Sequence, residues 1–192
     1  MEPIDTRDPA AAAGAYTRIL NWPLTVGYRY RPRQGCTCGN PRCPTPGAHP
    51  VPGPPNLRDQ HEMIRELEAA PGAGLIIWTT RFDAVIVPRA VGMAAMVALD
   101  HLAHVPCLVT EAHATLLVLP ATGRYAQRGE TSAQVRSGSC QWIAAPPTHG
   151  VRWDAPPWLE GTSTPAALLH GGDVGLRLRD AYKTVRITEA RP

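Results

Sequence analysis

The segment "GCTCGNPRCPTPGAHP", residues 35–50, crowds three of the chain's five cysteines into eight residues and follows them, six positions later, with a histidine. Thiolate sulfur and neutral imidazole nitrogen are the donors that zinc prefers, and four of them in a tetrahedron make a closed structural site. Cys36, Cys38, Cys43 and His49 supply that set as C-x-C-x4-C-x5-H. This spacing lacks the paired C-x-x-C knuckles of many zinc sites, so its alternatives are free thiols or a Cys36–Cys43 disulfide with His49 incidental. Interleaved Gly and Pro suit a chain that must turn sharply around an ion, and the loop has almost no apolar residues with which to order itself otherwise. A structural Zn²⁺ is the expectation.

Other residues could bind rather than coordinate. Arg29, Arg31 and Arg33 alternate in "YRYRPR" with Tyr28 and Tyr30 interleaved, and Arg124, Arg128 and Arg136 punctuate a polar stretch. Guanidinium groups neutralise phosphates and tyrosine rings stack on bases, so these six arginines are the candidate nucleic-acid contacts, against the simpler reading of a solvated edge strand. Glu111 with His113, and His101 with His104, are spacings from which a second metal site could be assembled, although exposed turn positions explain Glu111 and His113 more simply. Trp142, Trp153 and Trp158 are interface anchors or core residues, and packing is the reading preferred. Cys107 and Cys140 stand in apolar runs and read as buried small hydrophobes.

Behind these residues stands a chain of 192 residues, enough for one well-buried core and too few for two ordinary domains. Its 21 prolines and 17 glycines exclude a long-helix bundle, and a formal charge of +3 is too weak a field to diagnose nucleic-acid binding, so any basic surface must be local. Every cation but Lys183 is Arg, a bias that a GC-rich bacterial coding sequence explains as readily as phosphate recognition. No apolar run reaches the length of a membrane span, and a cytoplasmic location without membrane attachment is expected.

Element by element, "AAAGAYTRILNW" suits a helix ended by Pro23, "LTVGYRY" a strand, and "PNLRDQHEMIRELEAAPG" an amphipathic helix capped by Asn56, with Leu57, Ile64 and Leu67 on its apolar stripe. "GLIIWTT" and "FDAVIV" read as neighbouring strands joined as a hairpin, "AVGMAAMVALDHLAHV" as a helix carrying His101 and His104, "CLVTEAHATLLVLP" as two strands, and "CQWIAAPP" as another. Residues 121–139 read as an exposed loop, and "TPAALLH" and "GLRLRDAYKTV" as helical pieces of the tail. The mixture predicts an α+β fold with a mainly antiparallel sheet and flanking helices.

Taken in order, "NWPLTVGY", "CTCGNPRCPTPGAHP", a helix, "PGAGLIIWTTRFDAVIVPRAVG" and "WIAAPPTHGVRW" resemble the N-terminal domain of bifunctional DNA primase/polymerases of bacterial and mobile-element replication proteins. The resemblance covers residues 12–160, and its most specific parts are the cysteine loop and "AAPPTHG". It implies an archaeo-eukaryotic-type primase core enclosing a nucleotide and template cleft. Outside the matched stretch, residues 1–11 are expected to be a flexible N-terminus and 161–192 an extension packed on the same domain. Polymerising members carry an Asp-x-Asp or Asp-x-Glu pair on the strand represented by "DAVIVP", where one strand face can hold two divalent ions against a triphosphate. Val85, Ile86, Val87 and Pro88 stand there instead, leaving Asp83 at the strand's start as a solvated turn residue. The family's P-G-K-H-P lysine becomes Ala48, and its T-G becomes Thr79-Thr80. These losses imply a fold retained without catalysis, as a binding module for single-stranded or primer-template DNA or for a protein partner. The alternative is an active primase/polymerase with displaced metal ligands.

Overall fold

The computed structural model describes residues 4–52, 60–127, 132–159 and 161–189. Asn56 and Leu57 of the expected helix start, and Arg128, lie outside them. The chain opens with α1 (Pro9–Gly14), capped by Asp8, whose carboxylate accepts from Ala10 N at 3.0 Å, and continues as a π-helical turn over Ala15–Ile19. Then come β1 (Leu24–Arg31), β2 (Gly35–Cys36), α2 (Gln60–Ala69), β3 (Ala73–Trp78), β4 (Asp83–Pro88) and α3 (Arg89–Leu99). The second half holds β5 (Cys107–Val109), β6 (His113–Val118), α4 (Gly123–Ala126), β7 (Gln134–Arg136), β8 (Trp142–Ala145), β9 (Arg152–Ala155) and α5 (Gly171–Glu189). The fold is α+β, with antiparallel pairing in two sheets: β2-β1-β3-β8 and β7-β4-β6-β5-β9. No helix among the described residues is long and apolar enough to cross a membrane.

Two-residue periodicity on the strands sorts side chains between two cores. Ala84 and Leu117 face a first core built on Tyr16, Trp22, Leu24, Met63, Leu75 and Phe82, whereas Val85, Val87, Leu116 and Val118 face a second, with Val91, Met96 and Leu99 of α3 and Val174, Leu178 and Tyr182 of α5. Burying these stripes at about 25 cal/mol per Å² of apolar surface is what holds helices to sheet. On α2 the buried residues are Met63 and Leu67, one turn apart, with Ile64 only half-buried.

Several expectations are corrected. β3 and β4 form no hairpin; they belong to different sheets, because Phe82 in their connection is buried against Trp22, with ring centroids 4.6 Å apart, and draws the link into the core. The stretch 121–139 is not merely an exposed loop: it contains α4 and β7, anchored by the buried residues Gly123, Ala126 and Ala133. "TPAALLH" is not helical, and the tail's helix begins at Gly171. Cys107 is buried but Cys140 is exposed, since its turn precedes the first inward residue of β8.

Candidate metal centre

The cysteine loop is held to the first sheet by backbone. β1 bulges between Val26 and Arg29, and the freed Tyr28 N–H donates to His49 O at 3.0 Å while Gly27 bridges to Pro50. Close approach is allowed by two glycines. A Cβ on Gly27 would meet His49 O at 2.6 Å, and one on Gly74, in neighbouring β3, would run into Gly47 O. The bare patch they leave is where the loop sits, and Gly in a strand is the signal for such an approach.

From that platform His49 meets the cysteines. Its Nε2 lies 3.3 Å from Cys36 Sγ and 3.4 Å from Cys43 Sγ, and the ligand atoms of Cys36, Cys38, Cys43 and His49 all lie within 4.8 Å of one another. About 3.7 Å is the edge expected of a tetrahedron with metal–sulfur bonds of about 2.3 Å, so these four residues could hold one metal ion. β2 presents Cys36, tight turns present Cys38 and Cys43, and Gly47, at φ 74°, donates its N–H to Cys36 Sγ at 3.3 Å. Tyr28 packs its ring against that of His49, with centroids 4.7 Å apart, which limits the imidazole's freedom to rotate.

Electrostatics favour thiolate at one position. Burial opposes ionisation of Cys36, but N–H groups of Cys38 and Gly47, with His49, outweigh it and bring the thiol down to about 6. Cys43 moves the other way, raised by burial and by the neighbouring cysteines. A metal cation held by these residues would supply the missing charge and let three sulfurs ionise together.

The candidate arginines part company. Arg29 and Arg31 lie on β1 and, with Gln34, Gly35, Cys36, Thr37 and Gly39, line an open depression of about 390 Å³ beside the Cys3His cluster. Arg33 is in the turn after β1 at φ 69°, not on the strand face with them. Arg124 is exposed on α4 and lies over the Tyr125 ring at 4.9 Å. Arg136 is half-buried on β7, donating to Trp142 O at 2.7 Å with its guanidinium 4.8 Å from the Trp142 ring centroid. Tyr30 is stacked on His149, with centroids 4.2 Å apart, so both tyrosine rings of the hairpin already have histidine neighbours.

Ala84, Ile86 and Pro88 share one face of β4, where register places Leu117, Thr115 and His113 of β6 and Arg136 and Gln134 of β7 beside them. Val85 and Val87 point to the helix-covered face and are fully buried. Asp83 is no solvated turn residue: it is 2% exposed, accepting from Gly123 N at 2.7 Å and from Ser137 Oγ at 2.5 Å. Glu111 and His113 are exposed around the β5–β6 turn. His101 and His104 follow α3 rather than lying on it, and His104 Nε2 donates to Pro156 O at 2.6 Å. Trp158 is buried and Trp153 half-buried, packed around Tyr16, whose phenol is raised by burial even though Trp153 Nε1 donates to it.

No family model matches the chain, and neither a curated protein nor a solved structure matches it at a significant level.

Proposed function

We propose that the chain is a primase/polymerase-like zinc protein that binds nucleic acid without transferring nucleotides, a binding or regulatory module of bacterial DNA replication. The observation that carries this reading is the Cys36, Cys38, Cys43 and His49 cluster, whose Cys36 lies on β2 and lines the same depression as Arg29 and Arg31 of β1. Three sulfurs and one imidazole select a borderline-soft ion such as Zn²⁺ over Mg²⁺ or Ca²⁺, and four protein ligands leave no open position for a substrate. Such an ion orders the 36–49 loop; it does not catalyse.

Absence of transfer chemistry is supported by β4. Two-metal nucleotidyl transfer needs carboxylates that converge on one strand face, and the Ala84, Ile86 and Pro88 face offers none, while Asp83 is committed to Gly123 and Ser137. The test is template-dependent nucleotide incorporation with Mg²⁺ or Mn²⁺, alongside binding of a single-stranded oligonucleotide over a salt series. Binding that weakens with salt, without incorporation, is expected. Incorporation above contaminant level that is lost on changing Glu111 contradicts the reading in favour of displaced ligands, and failure to bind at low salt redirects it to a protein partner.

A further inference from the structure

We infer that the depression on the β1–β2 hairpin is a metal-organised site for the phosphate backbone of single-stranded nucleic acid, thermodynamically linked to the zinc cluster; this rests on the nucleic-acid reading above and names its site. One residue belongs to both places. Cys36 is a member of the Cys3His cluster and also a wall of the depression that Arg29, Arg31, Gln34, Thr37 and Gly39 complete. The floor is knitted to the cluster by one side-chain and two backbone bonds: Arg29 N donates to Thr37 Oγ1 at 3.0 Å, Thr37 N to Arg29 O at 2.9 Å, and Gly39 N to Cys36 O at 3.3 Å.

These bonds fix where the cations stand. Arg29 also donates weakly to Pro71 O at 3.5 Å and Arg31 to Gln34 Oε1 at 3.3 Å, so both guanidinium groups keep most of their five N–H donors for a ligand. Planar guanidinium suits the bidentate geometry of phosphate oxygens, and among the described residues no carboxylate lines the depression to compete for it. The surface is open rather than enclosed and has no aromatic wall among the described residues, since Tyr28 packs tilted against His49 and Tyr30 stacks on His149. That combination fits a backbone passing across the site better than a base inserted into it. Without metal, only the backbone seating of the loop and the weak Sγ contacts of His49 and Gly47 hold the cysteines together, so the Gly35–Gly39 wall should loosen and Arg29 and Arg31 lose part of their shared setting.

Linkage makes this measurable from both sides. If zinc raises oligonucleotide affinity by some factor, the oligonucleotide must raise zinc affinity by the same factor, for which about tenfold is a reasonable scale. The probe is a fluorescent oligothymidylate titrated onto the full chain, zinc-loaded or chelator-treated, with Arg29→Ala/Arg31→Ala and Cys43→Ser variants. Cys43 is a cluster ligand that does not line the depression. The arginine pair should lose affinity and make the dependence of log affinity on log salt shallower by roughly one to two units while keeping its zinc; Cys43→Ser and chelation should weaken binding with the arginines intact. Inorganic triphosphate, as competitor, separates a strand from a free nucleotide and should displace the oligonucleotide only weakly. Oligonucleotide binding indifferent to both the arginine pair and zinc overturns this site while leaving the broader reading in place. Triphosphate binding tighter than the oligonucleotide overturns the strand assignment, and no binding at low salt overturns both proposals. Circular dichroism of each variant shows whether the fold persists, and Arg29→Lys/Arg31→Lys, which keeps the charge, should recover most of the salt slope.

Discussion

The carbonyl oxygen of His49 sits over the Cα of Gly27, where a Cβ would be only 2.6 Å away and would also press on Ile76 Cγ1 at 2.9 Å. Gly27→Ala must therefore push the 47–50 segment off the sheet or bend β1. Stability should fall by about 1–3 kcal/mol, typical of overpacking, and zinc affinity should fall with it, although residue 27 touches no metal. Denaturant unfolding and a competitive chelator titration on the same protein check both effects; unchanged zinc affinity would mean that the loop is seated some other way.

Asp83 ties three elements together, accepting from Gly123 of α4 and from Ser137 just after β7 while sitting at the start of β4. Asp83→Ala leaves the buried Gly123 N–H without an acceptor and should cost about 2–3 kcal/mol in unfolding free energy, whereas Asp83→Asn should lose less. Nucleic-acid affinity of the folded fraction should not change, which distinguishes a structural carboxylate from one that serves a cleft.

Arg136 is likewise expected to serve stability. Its bond to Trp142 O and its contact with the Trp142 ring bridge β7 and β8, and Arg136→Ala should destabilise by about 1–2 kcal/mol while leaving the salt dependence of oligonucleotide binding unaltered. A shallower salt slope in that variant would return Arg136 to the contact surface.

Thiol reactivity offers a further check. Of the five free cysteines, Cys140 is exposed and should react promptly with a chromogenic disulfide reagent in the zinc-loaded protein. Cys36, Cys38 and Cys43 should follow only after chelation. Cys107, whose thiol is pushed up to about 12 by burial, with the Asp154 and Asp100 carboxylates adding to it, should respond only on unfolding. Prompt reaction of four thiols before chelation would contradict metal ligation.

The convergence of Cys36, Cys38, Cys43 and His49 and most elements could be read from the sequence because their signals are local: thiol spacing, β-branched runs, a Pro-Gly stop. What could not be read depends on partners distant in the chain. Whether "GLIIWTT" and "FDAVIV" pair with each other turned on Phe82 finding Trp22, and Asp83 looked solvated because Gly123 lies 40 positions away. Residue alternation alone places Arg33 with Arg29 and Arg31, but strand alternation stops at the turn. Gly27 and Gly74 were the missed clue, two strand glycines whose lack of side chains is what seats the cysteine loop.

Zinc K-edge X-ray absorption on the purified full chain tests the central claim most directly. One zinc per chain with about three sulfurs near 2.3 Å and one nitrogen near 2.0 Å is predicted, and Cys38→Ser should replace one sulfur by a lighter atom or release the metal. A zinc shell made only of nitrogen and oxygen, or a well-folded chain that takes up no zinc with all its thiols reduced, would contradict the account.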